Sequence, residues 1–322
     1  MSKRAIRCEQ ILRIACSLAI GMTSGLICFW YQRLSGRGAG DLLYSLAGAR
    51  VVLTGQNPYT IPNPPGGLPI FYPLTAFILV TPFLPLPPEV AAAIFFGGSS
   101  AALAFLLSRE GWHRLLFFLA APYWQSLQVV QWSPLLCAVW LSPILLMLVS
   151  AKPNIGLAVM LSTRWERIGL VTLAGIILLS LLIQPLWPLS WLEVIRKHPN
   201  AMPLLSAPGV VLLLAAVRWR ERRARLLLAL SLIPQRLFYD QLPLFLIPQT
   251  TRTLQIMVIG SWITYIGWFF WPQGGMSWAI IGEFIPALLN HSAGPAIRQD
   301  RNPQTFHGRM SPGTYAPFSR LR

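Results

Sequence analysis

Acidic side chains are scarce in this chain. It carries ten Asp and Glu among 322 residues, against 26 Lys and Arg. Charged residues of both signs reach only 11%, less than half the roughly 25% of an ordinary soluble domain, which excludes that class. Cysteine is equally sparse: Cys8, Cys16, Cys28 and Cys137 lie near the N-terminus or inside apolar runs. They have neither metal-ligand spacing nor an external pair, so no disulfide and no zinc site is expected. No small-x-small cleavage site precedes Trp30, so the basic start and the apolar run 11–30 read as an uncleaved first span, not a signal peptide. No internal repeat is evident, which gives an inverted-repeat transporter no support.

What is present is apolar. Hydrophobic residues make up 54% and mean hydropathy is +0.55. Apolar runs recur along almost the whole length, broken by proline, tryptophan and small basic clusters. The expectation is an all-α polytopic transmembrane protein of about ten spans, with amphipathic helices in the first external loop. A net charge of +16 suggests nucleic acid in a soluble protein. Here the cations fall between the apolar runs, where they report orientation, and no nucleic-acid partner is expected.

The reading of topology runs as follows. Residues 11–30 cross outward, and a long external segment reaches to about 88, opening with a helix over 41–53 that Asp41 is placed to cap. A turn-rich loop over 57–67 follows, then an apolar stretch from Phe71 that is short for a crossing. Residues 89–107 form a span whose run Gly97-Gly98-Ser99-Ser100 admits a close neighbour. Residues 115–130 return outward, and 132–149 go back in to Lys152-Pro153, with a half-helix over 155–161. Later crossings are expected over 168–186, 202–217, 226–239, 240–248, 254–271 and 276–289, with an external amphipathic segment over 187–200. Both termini are then cytoplasmic. Residues 1–290 form the transmembrane domain and 291–322 a polar tail read as disordered. Roughly twenty of the basic residues fall inside, which satisfies the positive-inside rule, and the arginines of 218–225 act as a topology determinant.

The outer face then collects the chemistry: Asp41, Arg37, Arg50, Tyr59, Tyr72, Gln131, Arg196, Lys197, His198, Arg236, Tyr239 and Asp240. Cations and amide donors of this kind suit an anionic, lipid-linked phosphate at the membrane boundary.

Asp41 with Tyr44, then Gly55-x-Asn57-Pro58-Tyr59 and Phe71-Tyr72-Pro73, resembles the first external loop of glycosyltransferase family 87. Gln131 before Trp132-Ser133, Lys152-Pro153-Asn154, and Pro234 ahead of Tyr239-Asp240 also fall in that family's order, over about residues 10–250. Leu74 stands where the family has a second proline after the tyrosine, and Val130 where it has glycine before the glutamine. The resemblance implies a GT-C-type membrane enzyme. It would transfer a hexose, often mannose, from a polyprenyl-phosphate donor to a lipid-linked or cell-envelope glycan acceptor, with inversion and without a cofactor. Asp41 takes the place of the family's general base. Arg236, Arg50, Arg196 or Lys197 would hold the phosphate, Tyr239 and Asp240 would meet sugar hydroxyls, and Tyr59, Tyr72 and Gln131 would line the substrate site.

Plainer readings compete. Asp41 is placed to be a simple helix cap, and Arg50 to snorkel beside lipid headgroups. Asp240 and Arg236 have the spacing of a structural i,i+4 pair. Arg196, Lys197 and His198 suit a headgroup-facing segment, and Tyr59 and Tyr72 an aromatic belt. The rival functions are a transporter or flippase of a lipid-linked glycan, and an inactive homologue serving as an assembly partner. Whether Asp41 and Asp240 approach a shared metal is open from spacing alone.

Overall fold

A computed structural model describes residues 3–61, 70–197, 201–236 and 238–292. Most of the turn-rich loop, His198 and the tail beyond Ser292 lie outside the described residues. Among the described residues the chain is helical, and its single β contact is an isolated bridge between Ala201 and Gln235.

The α-helices are α1 (Lys3–Ser35), α2 (Leu42–Leu53), α3 (Leu74–Val80), α4 (Pro88–Glu110), α5 (Ala121–Gln128), α6 (Ser133–Leu141), α7 (Pro153–Ser162), α8 (Arg167–Ile183), α9 (Trp187–Ile195), α10 (Arg222–Leu232), α11 (Thr251–Phe270), α12 (Met276–Ala279) and α13 (Ile285–Ser292). Their ends follow local chemistry. Gly36 and Gly38, at φ of 68° and 66°, terminate α1, since glycine enters the left-handed region without a Cβ clash. Pro88 opens α4 with Glu89 in its first turn, where proline loses no hydrogen bond and a carboxylate meets the positive helix end. Thr250 and Thr253 form a reciprocal capping box on α11.

Three helices are long and apolar enough to cross a membrane: α1, α4 and α11. A fourth crossing is available if α8 and α9, bent by 95°, act as one. The expectation of about ten spans is therefore not met by helices of spanning length. Much of the remaining apolar sequence forms shorter pieces, including 3₁₀ runs at Trp112–Leu119, Pro143–Ala151, Gly209–Arg218 and Tyr239–Leu246. Prolines cause many of these breaks, because each removes an amide donor and crowds the preceding turn.

The stretch 132–149, expected to cross inward once, does something else. α6 leaves Gln131, breaks at Ser142-Pro143, and the 3₁₀ run returns to Lys152. Lys152 Nζ then donates to Gln131 Oε1 at 2.8 Å. Side chains in contact cannot stand on opposite faces of a hydrocarbon layer about 30 Å thick. The segment is a hairpin, and Lys152 is not on the face opposite Gln131.

α1 and α4 form the closest helix pair. A Cβ added at Gly97 would lie 2.8 Å from the Gly21 carbonyl and 3.2 Å from the Gly25 Cα. One added at Gly21 would meet the Ala101 Cβ at 2.6 Å. Gly21-x-x-x-Gly25 thus packs on Ala93-x-x-x-Gly97-x-x-x-Ala101, small residues permitting backbone contact where no hydrophobic driving force exists. The glycine run in α4 does admit a close neighbour, and that neighbour is α1.

These glycines separate two outcomes. Gly97→Leu should destabilise the protein by about 1–3 kcal/mol, the usual cost of overpacking. Gly98→Leu should be nearly silent, because a Cβ there meets nothing within 4 Å. Thermal unfolding in detergent of both variants checks this; equal midpoints would remove the α1–α4 contact as the cause.

Candidate functional site

The site begins where α5 ends. The amide of Val130 bonds the Leu127 carbonyl at 3.3 Å, and the amide of Gln131 bonds the Ser126 carbonyl at 2.9 Å. This is the Schellman pattern that closes a helix with one residue in the left-handed region. That residue is Val130, at φ 52°. A β-branched side chain there carries strain of about 1–3 kcal/mol. The turn turns Gln131 inward and presents the Val129 carbonyl to the other half of the site.

Asp41 docks on that carbonyl through its own amide, at 2.8 Å. Gly40 makes the approach possible: it sits at φ 52°, and a Cβ there would lie 2.8 Å from the Val129 oxygen. Asp41 precedes α2 but makes no side-chain capping bond. Its Oδ2 instead accepts from Gln131 Nε2, and among the described residues Oδ1 accepts nothing.

Gln131 is held from its other end. Its Oε1 accepts from Lys152 at 2.8 Å and from the Tyr72 hydroxyl at 3.5 Å. With the oxygen committed to donors, the amide nitrogen faces Asp41. Lys152, at the start of α7, also donates to Asp240 Oδ1 at 2.5 Å and lies 4.7 Å from the Tyr239 ring centre. Asp240 Oδ2 accepts from the Arg236 backbone amide at 2.9 Å and faces Asn154 Nδ2 at 3.5 Å. Asp240 is fully buried and Lys152 nearly so, so each depends on the other. The expected i,i+4 relation of Asp240 to Arg236 is thus a backbone contact, while its ion pair goes to Lys152.

Arg236 is exposed; its guanidinium stacks 5.5 Å from the Phe71 ring centre and donates to the Tyr239 hydroxyl. Tyr59 supports the site from behind. Asn57 Oδ1 takes the Tyr59 amide at 3.0 Å, and the Tyr59 hydroxyl reaches the Tyr72 carbonyl at 3.1 Å. The Asn-Pro-Tyr motif is therefore a turn that fixes Tyr72. Trp191 of α9 donates to the neighbouring Phe71 carbonyl at 2.7 Å.

The structure brings together Asp41, Tyr72, Gln131, Arg236, Tyr239 and Asp240. It does not bring in Arg50, exposed on the last turn of α2, nor Arg196 and Lys197, exposed just past α9. Lys152 and Asn154 were missed as site residues. The signal was available, since a lysine between apolar segments demands a partner, but reading 132–149 as one crossing placed it on the wrong face.

Burial raises the Asp41 carboxyl above its ordinary value of 3.8. Lys152 and Arg236 pull it back down, Asp240 pushes it up, and the Gln131 hydrogen bond lowers it. Burial, with Asp41 and Tyr239 adding, keeps the Tyr72 phenol well above its ordinary range, so it remains a donor. A cavity of about 350 Å³ opens at Asp41, lined by Arg37, Gly40, Asp41, Leu43, Tyr44 and Val129. That is the small end of ligand-pocket sizes, about 300–1,000 Å³. Between the two carboxylates stand the Gln131 amide and the Lys152 ammonium, which occupy the position a bridging cation would need.

The arrangement suits proton abstraction next to a bound anion. No protein-family model, curated protein or solved structure matches the chain.

The buried pair yields a stability test. Asp240→Leu alone should cost about 3–5 kcal/mol, because it strands the Lys152 charge. Adding Lys152→Met should recover most of that loss. Melting midpoints of the two singles and the double give the coupling; strictly additive losses would show that the pair is not interdependent.

Proposed function

We propose that the chain is an integral membrane glycosyltransferase of GT-C type, moving a hexose from a polyprenyl-phosphate donor to a lipid-linked or cell-envelope acceptor. One observation carries this reading. The Asp41 carboxylate does not cap the helix it precedes; it is oriented by Gln131 at the mouth of a cavity, and among the described residues its second oxygen accepts no hydrogen bond.

In this reading Asp41 Oδ1 accepts the proton of the acceptor hydroxyl as that oxygen bonds the anomeric carbon. The bond from carbon to phosphate oxygen breaks, and the polyprenyl phosphate leaves with the electron pair. Arg236 and Arg37 stand where cations would stabilise that departing charge. Tyr239 offers its phenol to a sugar hydroxyl. Tyr72, Lys152 and Gln131 touch no substrate; they aim Asp41.

A multi-pass topology with the site on the external face supports access for a lipid donor. Segments too short as α-helices gain length where they are 3₁₀. Trp112–Leu119 and α5 laid end to end reach about 28 Å, close to the hydrocarbon thickness of about 30 Å. The pair leads from Arg114 to Gln131, which separates the arginine-rich end of the molecule from the Asp41 end.

Membranes bearing the wild-type chain or Asp41→Asn, supplied with radiolabelled polyprenyl-phosphate-mannose and an acceptor panel, test the reading. Transfer should fall by roughly 10²–10⁴ in the variant, the span of general-base catalysis. Equal transfer by both would sink the general-base role, and no transfer by the wild type would favour a flippase or an inactive homologue.

The pH profile gives a separate expectation. The base works only when ionised, so transfer should decline on acidification through a pKa above the ordinary 3.8. Gln131→Leu removes a contact that favours the ionised form, and its acidic limb should move to higher pH. A limb unmoved by that change would detach Gln131 from the base.

A further inference from the structure

The opposite end of the molecule holds a second concentration of charge. α7 runs from Lys152 to Ser162, and α10 runs from Arg222 toward Gln235, so each has one end near the Asp41 cluster and one far from it. Helices of this length put the two ends about 15 Å apart. At the far end, Arg222 lies 3.5 Å over the Trp140 ring and donates to the Ser162 carbonyl and the Thr163 hydroxyl, both at 3.3 Å. Arg114, also buried, donates to the carbonyls of Leu246 and Pro248. These arginines tie loop ends together.

Arg223 has no such task. Among the described residues it makes no ion pair and no hydrogen bond, yet its Nε is sealed from solvent. Glu110 and Glu221 are the carboxylates that act on it. Glu221 is engaged by Arg218 at 2.7 Å, and Glu110 by Arg114 at 3.5 Å. Burial disfavours the Arg222 charge, Glu110 favours it, and Arg164, Arg223 and Arg225 disfavour it again. Neighbouring arginines repel one another, and the two carboxylates beside them are shared with Arg114 and Arg218. Topology signalling requires cations near a membrane end, but it requires neither their burial nor their convergence.

We infer that the first turn of α10 binds a phosphate group, held by Arg223 with Arg222 and Arg164 in reach, and that an anionic phospholipid headgroup supplies it. Phosphate matches the fork of guanidinium donors and neutralises the excess charge. The α10 N-terminus adds free amides and the positive end of its dipole. Exposed Trp165 and Trp219, next to these arginines in the chain, are the residue type that settles at headgroup level, which favours a lipid-borne phosphate over a dissolved one. Basic pockets between membrane helices take such headgroups.

The full chain purified in detergent tests this against phosphatidylglycerol, phosphatidylcholine and sodium phosphate, with bound lipid counted by native mass spectrometry and stability read as the melting midpoint. Phosphatidylglycerol should be retained over phosphatidylcholine and should raise the midpoint. Arg223→Gln should weaken that retention about fivefold, the order expected for one cation near a membrane surface. Arg109→Gln, which removes a cation from the end of α4 near the same cluster, should leave it unchanged. If Arg223→Gln does not fold, exposed Arg164→Gln should show a loss in the same direction. Stabilisation by sodium phosphate alone, lost in Arg223→Gln, would support the phosphate site and reassign its source to a soluble ligand. Equal losses in the Arg109 and Arg223 variants, or equal retention of the two lipids, would overturn the site and leave only bulk surface charge.

Discussion

The Gln131 amide points its nitrogen at Asp41 and its oxygen at Lys152 and Tyr72. A carboxylate only accepts and so takes the nitrogen, and the two donors on the oxygen select the same orientation. With them, one orientation remains, and a carboxylate on the first loop is aimed by a lysine more than a hundred positions later in the chain. The hairpin 133–151 exists in this geometry to return Lys152 to within reach. The cluster around Asp240 exists to neutralise Lys152 once it arrives. Each buried group is thus the condition for the next, which is how polar networks specify one arrangement.

The charges in this network balance. Asp41 and Asp240 face Lys152 and Arg236, two charges of each sign. A bound anion tips that balance and draws on Arg236, which is exposed and stacked on Phe71, and on Arg37 at the cavity wall. At the other end, among the described residues, the arginines outnumber their carboxylates.

The helical class was legible in the sequence because it depends on composition and local pattern. A scarce carboxylate beside an apolar span stands out. The close approach in α4 was legible too, since adjacent small residues have few other uses inside a membrane helix. Lys152 was not, because hydropathy measures only whether a segment is apolar. The stretch 132–149 is apolar enough for one crossing and, with a break at Ser142-Pro143, equally suited to a hairpin. Periodicity cannot tell these apart; only the contact of Gln131 with Lys152 can. Hydropathy likewise does not separate helices of spanning length from 3₁₀ and proline-broken pieces, which share their composition. Arg50, Arg196 and Lys197 were attractive for their charge and their side of the membrane, and neither property conveys proximity.

Val130 shows where sequence and site meet. A Schellman turn wants its left-handed residue to be glycine. Valine keeps the turn, since both of its hydrogen bonds are present, and its side chain is completely buried. The cost is backbone strain; the return is a residue that cannot relax without leaving its core position. Gln131 follows immediately, and Val129 immediately before it receives the Asp41 amide. A stiffer hinge at this point fixes both contacts on Asp41 together, its backbone through Val129 and its carboxylate through Gln131. The geometry that glycine would permit is the geometry that valine, packed into the core, enforces.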